Sequence, residues 1–145
     1  APQVQVLLAG AQARGLQIEP DERVQIVSNP PEMGVLAESC SALVVPLRWG
    51  SGTRIKVLEA MAWGLPVIST PIGYQGLELE EGEHLLRGDD AEQLAEHILT
   101  ILEDEDRWQR LREGARSRVE AESDWSHWFA LQESELEKRL GSGLG

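Results

Sequence analysis

The feature that most constrains this chain is an alternation. Short apolar runs closed by Gly, Ser, Asn or Pro are separated by segments of helical spacing. Residues 4–10 (VQVLLAG) predict a buried strand ending on glycine. Residues 23–28 alternate apolar and polar and predict a second strand, stopped by Asn29-Pro30-Pro31. Residues 42–47 and 65–70 predict a third and a fourth, and residues 84–86 a short fifth. Residues 11–20 form a polar link, residues 31–40 admit a short helix with Pro31 in its first turn, and residues 53–63 predict a helix closed by Gly64. Asp89-Asp90 caps a helix at 91–102, whose Leu94, Ile98, Ile101 and Leu102 share one face. Further helices are expected at 107–122 and 123–140. Strands that alternate with helices in this way pair in parallel, because each crossover helix returns the chain to the same end of the sheet. The expected fold class is α/β: a three-layer parallel sheet with helices on both faces.

A chain of 145 residues suits one domain. It is expected to cover residues 1–140, with a flexible Gly-Ser tail at 141–145. The single cysteine, Cys40, excludes an internal disulfide framework and reads as a small packed side chain in a reducing compartment. No apolar run is long enough to span a bilayer, so a cytoplasmic protein is expected. The N-terminus has neither Met nor a basic leader and reads as a cut point. The net charge of −12 argues against nucleic-acid binding. That charge is uneven. Residues 41–77 carry Arg48, Arg54 and Lys56 against Glu59 alone, whereas residues 78–106 hold twelve acids and one base, Arg87. A small cationic island in an anionic chain suits a small anionic ligand.

Ligands of open parallel sheets bind beyond the carboxyl ends of the strands. Three loops fall there: Ser28-Asn29, the segment from Arg48 to Thr53, and residues 70–76. In the central loop, Gly50-Ser51-Gly52-Thr53 lets backbone approach a ligand closely. The helix behind it offers free N–H groups and a partial positive charge to phosphates, reinforced by Arg54 and Lys56. The Gly-Lys-Ser/Thr signature of a P-loop is missing. At about 100° per residue, Ile55, Leu58, Met61 and Ala62 form an apolar stripe with Glu59 at its margin. Gly52, Lys56 and Trp63 lie within about 60° of Glu59. A carboxylate there can accept from two vicinal ribose hydroxyls. The competing reading is a plain Lys56–Glu59 pair on one helix face.

The stretch Gly-Ser-Gly-Thr-Arg-Ile-Lys-Val-Leu-Glu-Ala-Met-Ala-Trp-Gly-Leu-Pro-Val-Ile-Ser-Thr at residues 50–70 resembles the group 1 (family 4) glycosyltransferases. The likeness extends over roughly residues 4–125, through Leu-Leu-Arg-Gly-Asp-Asp at 85–90. It implies the C-terminal, donor-binding half of a GT-B enzyme, with a Rossmann-like fold, that transfers sugar from a nucleotide sugar with retention. By this resemblance Glu59 binds the ribose hydroxyls. Gly50, Ser51, Gly52 and Thr53 lie near the donor sugar and phosphates, Ser28 and Asn29 near the base, and Gly73 in the donor-side loop. No cofactor or metal is expected beyond the sugar nucleotide, and His84, His97 and His127 read as surface or packing residues.

The sequence departs from the family pattern in two places. The family carries a pair of Glu residues, and the first would fall at Ser51; Arg54 or Lys56 is expected to neutralise diphosphate charge there. The family's first strand–helix unit and its acceptor-binding domain would both precede Ala1. The fragment is therefore expected to be inactive in transfer, with an exposed sheet edge that invites dimerisation. The whole enzyme could lie peripherally on the inner membrane face. Trp125, Trp128 and Phe129 are candidates for docking surface or core cap, Trp108 for packing, and Tyr74 for the cleft lining. The alternative reading is a degenerate, non-catalytic module acting in protein interaction or regulation. A flavodoxin-like fold fits less well, since residues 4–10 lack a phosphate loop.

Overall fold

The computed structural model describes residues 4–11, 13–15, 17–19, 21–50 and 52–121, with the side chain of Arg14 excepted. The expectations for Ser51, for His127, for the helix at 123–140 with its aromatic residues and for the tail at 141–145 lie outside the described residues. Within them the order is β1 (Val6–Gly10), β2 (Val24–Ser28), α1 (Met33–Ala37), β3 (Leu43–Val45), α2 (Ile55–Ala62), β4 (Val67–Ser69), β5 (Leu86–Arg87), α3 (Ala91–Glu103) and α4 (Glu105–Ala121), with 3₁₀ turns at Ala13–Gly15 and Pro71–Tyr74.

Every strand pair is parallel, as the alternation predicts. β4 is central between β3 and β5, with Leu43 opposite Val67 and Ile68 opposite Leu86. Its three residues are all buried. Successive strand side chains point to opposite faces, so β4 divides the core. Val67 packs with Val57, Ala60 and Met61 of α2 and with Ala115 and Val119 of α4. Ile68 packs with Leu94 and Ile101 of α3 and with Leu111. Helices thus cover both faces of this sheet, the arrangement that buries continuous apolar strands.

The ends of α2 and α3 follow local chemistry. Gly64 has φ +70° and closes α2; the amide of Leu65 donates to the Ala60 carbonyl and that of Gly64 to the Met61 carbonyl. This 6→1 and 5→2 pair is a Schellman motif. Asp90 caps α3 by accepting from the amide of Gln93 at 2.9 Å. Two details differ from the sequence expectation. α2 begins at Ile55 because Arg54, with ψ +41°, is not helical. Its fully buried residues are Val57, Ala60 and Met61, since the helix packs on α4 as well as on the strands.

The expected single sheet is in two pieces. β1 and β2 form one, and β3, β4 and β5 the other. Val6 bonds to Arg23 through its amide, and Gly10 to Asn29 through its carbonyl. Alternate residues of a parallel strand direct their amides to opposite sides, so those of Leu7 and Ala9 face away from β2. By the same rule Leu43 and Val45 face β4 and Val44 faces away. No strand pairs with these outward edges among the described residues. Val6 is 43% exposed, Ile26 40% and Val44 36%. Neither apolar core includes a residue of β1 or β2.

Candidate functional site

The loops singled out in the sequence all leave the carboxyl ends of parallel strands. The loop after β3 is held at two points. On its near side the Thr70 hydroxyl donates to the Leu47 carbonyl at 2.5 Å. On its far side the Arg54 guanidinium donates to the Gly50 carbonyl at 3.2 Å. Between these anchors the chain passes through Arg48, Trp49 and Gly50, all exposed. Gly50 has φ +148° and Gly52 φ +108°. Both values favour glycine and hold backbone in a shape that a side chain would strain. The tethering role of Thr70 carried no sequence signal, because the contact spans more than twenty residues.

No side chain caps α2. The Val57 amide donates to the Arg54 carbonyl, and among the described residues the amides of Ile55 and Lys56 have no acceptor and are open to an anion. Arg54 stands at that end, and its Nε is buried without a hydrogen-bond partner. Thr53 is exposed beside it. One turn on, Lys56 Nζ and Glu59 Oε2 form an ion pair at 2.8 Å. The plain pairing weighed from the sequence is therefore present. It is worth little as a surface pair, and it places cation and carboxylate together on one side of the first turn of α2.

The remaining candidates divide. Ser28 ends β2, and its hydroxyl is buried with no partner. Asn29 follows with φ +50°, a left-handed conformation that asparagine tolerates. Among the described residues, no hydrogen bond or ion pair joins Ser28 or Asn29 to the loop after β3. Gly73 is buried, and a Cβ there would collide with Ser69 Oγ and lie 2.9 Å from the Val45 carbonyl oxygen. The lack of a side chain at Gly73 lets the turn after β4 press onto β3.

A polar network lies beyond β4 and β5. The Tyr74 hydroxyl donates to Glu81 Oε1 at 2.8 Å, and Arg87 bonds both Glu81 and Asp89. The Tyr74 and Arg87 donors lower the Glu81 pKa, and burial followed by Glu81 raises that of Tyr74. His97 Nε2 meets the Arg87 carbonyl and His84 Nδ1 accepts from the Glu80 amide, both structural roles. Trp108 packs as expected and donates to the Ser41 carbonyl at 2.8 Å. Among the described residues, no His, Cys, Asp or Glu group could hold a metal ion, and no helix is long and apolar enough to cross a membrane. A hollow lined by Ile18, Glu19, Asp21, Glu22, Val24 and Ile26 lies at the opposite end of β2. Its acidic rim disfavours a phosphate ligand.

This geometry has close counterparts. The family profile described as "Glycosyl transferases group 1" matches residues 1–104. A Klebsiella pneumoniae protein described as an uncharacterized 44.6 kDa protein in the cps region is 26% identical over 108 residues, which are 68% of this chain and 28% of that protein. Sucrose-phosphate synthase of Thermosynechococcus elongatus superposes with a TM-score of 0.66 at 30% identity, over 83% of this chain and 31% of its own. HepE of Anabaena, solved in complex with UDP, gives a TM-score of 0.66 at 20% identity, over 98% of this chain and 42% of its own. The chain therefore spans less than half the length of these relatives. Their parallel sheets with flanking helices are of the GT-B, Rossmann-like kind. With that fold and a profile match over more than half its length, the chain belongs to the group 1 glycosyltransferases.

Proposed function

We propose that this chain is the donor-binding part of a retaining glycosyltransferase that takes its sugar from a nucleoside-diphosphate sugar, without a metal. The acceptor-binding half then lies in sequence outside the chain, in keeping with the greater length of its relatives. The observation that carries this reading is the convergence of an uncapped helix end, a glycine loop tethered on both sides and an Arg54 Nε with no partner. Transfer breaks the bond between the sugar's anomeric carbon and the diphosphate oxygen, and charge grows on that oxygen. Fixed N–H groups and cations at the leaving group lower that barrier. Here the amides of α2, Arg54 and Lys56 supply them. Glu59 shares its carboxylate between Lys56 and the ribose hydroxyls, and Ser28 Oγ and Asn29 meet the base.

The pairs β2-β1 and β3-β4-β5 match the two flanks of the central strand in a doubly wound sheet of order 3-2-1-4-5-6. The reading assigns that strand and its helix to the same outside sequence. The fragment alone then binds donor weakly and transfers nothing. Membrane association, if the whole enzyme has it, is assigned to that outside sequence, since this chain carries a net charge of −12.

A titration of the chain with UDP, GDP and ADP tests the reading, repeated on Glu59→Ala. One nucleotide should bind saturably, and the mutant should lose about tenfold or more, the usual effect of removing a charged hydrogen-bond acceptor. Equal affinity in the mutant would remove Glu59 from the site. The second reading, a non-catalytic interaction module, draws on Ser51 standing where the family has Glu. Transfer activity in the full-length protein would dismiss it.

A further inference from the structure

We infer that Trp49 is a specificity-determining residue, its indole forming a platform for one face of the sugar carried on the diphosphate. The inference rests on the donor-binding reading above. Among the described residues Trp49, at 81%, is by far the most exposed large apolar side chain, and Val35 follows at 59%. Exposure of this kind on a mobile loop would mean little. Here the loop is tethered two residues before Trp49 by the Thr70–Leu47 bond and one residue after it by the Arg54–Gly50 bond. The backbone that carries the indole is therefore held on both sides. No hydrogen bond, ring contact or ion pair uses it within the described residues.

Its position selects its ligand. The loop stands at the carboxyl end of the sheet, beside the end of α2 where the diphosphate is proposed to sit. The group bonded to that diphosphate is a pyranose. Such a ring carries hydroxyls around its rim and a face of C–H groups. An aromatic plane covers that face while leaving the hydroxyls to polar partners, because the negative π-face attracts the C–H hydrogens. Two cations, Arg48 and Arg54, flank the site along the chain. They favour the phosphate side of the ligand but offer nothing to the apolar face of its sugar. Trp49 supplies that missing part. A nucleoside diphosphate without sugar has no group in this place, so the indole acts on only part of the donor.

The experiment compares UDP, GDP and ADP with UDP-glucose, UDP-N-acetylglucosamine, GDP-mannose and ADP-glucose. Binding to the chain is read by ligand-observed NMR, which detects weak complexes, for the unmodified protein, Trp49→Ala and Trp49→Phe. With so exposed a side chain both variants should fold, which circular dichroism checks. Trp49→Ala should lower affinity for the preferred sugar nucleotide by about tenfold and for its parent diphosphate by less than about twofold, as an aromatic contact confined to the sugar requires. Trp49→Phe should retain most of the difference. Parallel loss of diphosphate and sugar nucleotide would overturn the inference, since the indole would then only shape the loop. No change in either would also overturn it, and would turn the indole toward the second domain. Failure of the unmodified chain to bind any of the ligands would sink the donor reading itself, a distinct result.

Discussion

Gly73 is buried where a single methyl group has no room, with Ser69 Oγ and the Val45 carbonyl in the way. Gly73→Ala should therefore destabilise the domain by about 1–3 kcal/mol, the range for overpacking, measured as a lower urea midpoint with an unchanged slope. Denaturation indistinguishable from the parent would mean that the turn after β4 yields freely. Tyr74 offers a second test, through pH. Its hydroxyl donates to Glu81, whose pKa is lowered in the fold, while its own is raised by burial and by Glu81. A lowered carboxyl pKa contributes stability above the unfolded value, lost as pH falls below about 4.3. A raised phenol pKa contributes stability below its unfolded value, lost as pH rises past about 10. Tyr74→Phe removes the phenol and its hydrogen bond to Glu81, leaving Arg87 to lower the Glu81 pKa. The Tm gap between parent and variant should be flat near neutral pH and narrow at each extreme; a gap independent of pH would rule the hydrogen bond out as its source.

At the scale of elements, the caps are the most exact message in the sequence. Asp90 accepts from Gln93, so Asp90→Ala should cost about 1 kcal/mol, seen as a lower Tm and faster amide exchange in the first turn of α3. Such signals were legible because they are local. Asp before an apolar-periodic run and Gly after one each act within a few residues, and β4 declared itself by being apolar on both faces. The Lys56–Glu59 pair was legible for the same reason, since helical spacing alone places Lys56 beside Glu59. What escaped depends on distant partners. The buried stripe of α2 was displaced toward Val57 and Ala60 by packing on α4. The fit of Gly73 depends on Val45 and Ser69, and the tether of the central loop on Thr70. No spacing rule encodes these contacts, because each joins segments brought together by the sheet.

At the scale of the whole molecule, the division of the sheet decides how the chain behaves alone. β1 and β3 are apolar strands whose outward amides, those of Leu7, Ala9 and Val44, have no strand to pair with among the described residues. An apolar edge with free backbone groups is a template for another strand. Among the described residues, β1 and β2 contribute no side chain to either core. At high concentration another copy of the chain is the available partner. The 145-residue protein should therefore self-associate reversibly in sedimentation velocity, with the average mass rising with concentration. Val6→Lys and Val44→Lys place a charge on each open strand at residues already 43% and 36% exposed. Charged edge residues oppose pairing, so the double variant should sediment as a monomer while keeping its circular dichroism. If the proposed central strand and helix precede this chain, adding them should have the same effect without any mutation. A parent that stays monomeric at every concentration would show that these edges are already covered, and the proposed place of the missing strand would have to be abandoned. Association that survives both lysines and the extension would instead locate the contact elsewhere on the surface.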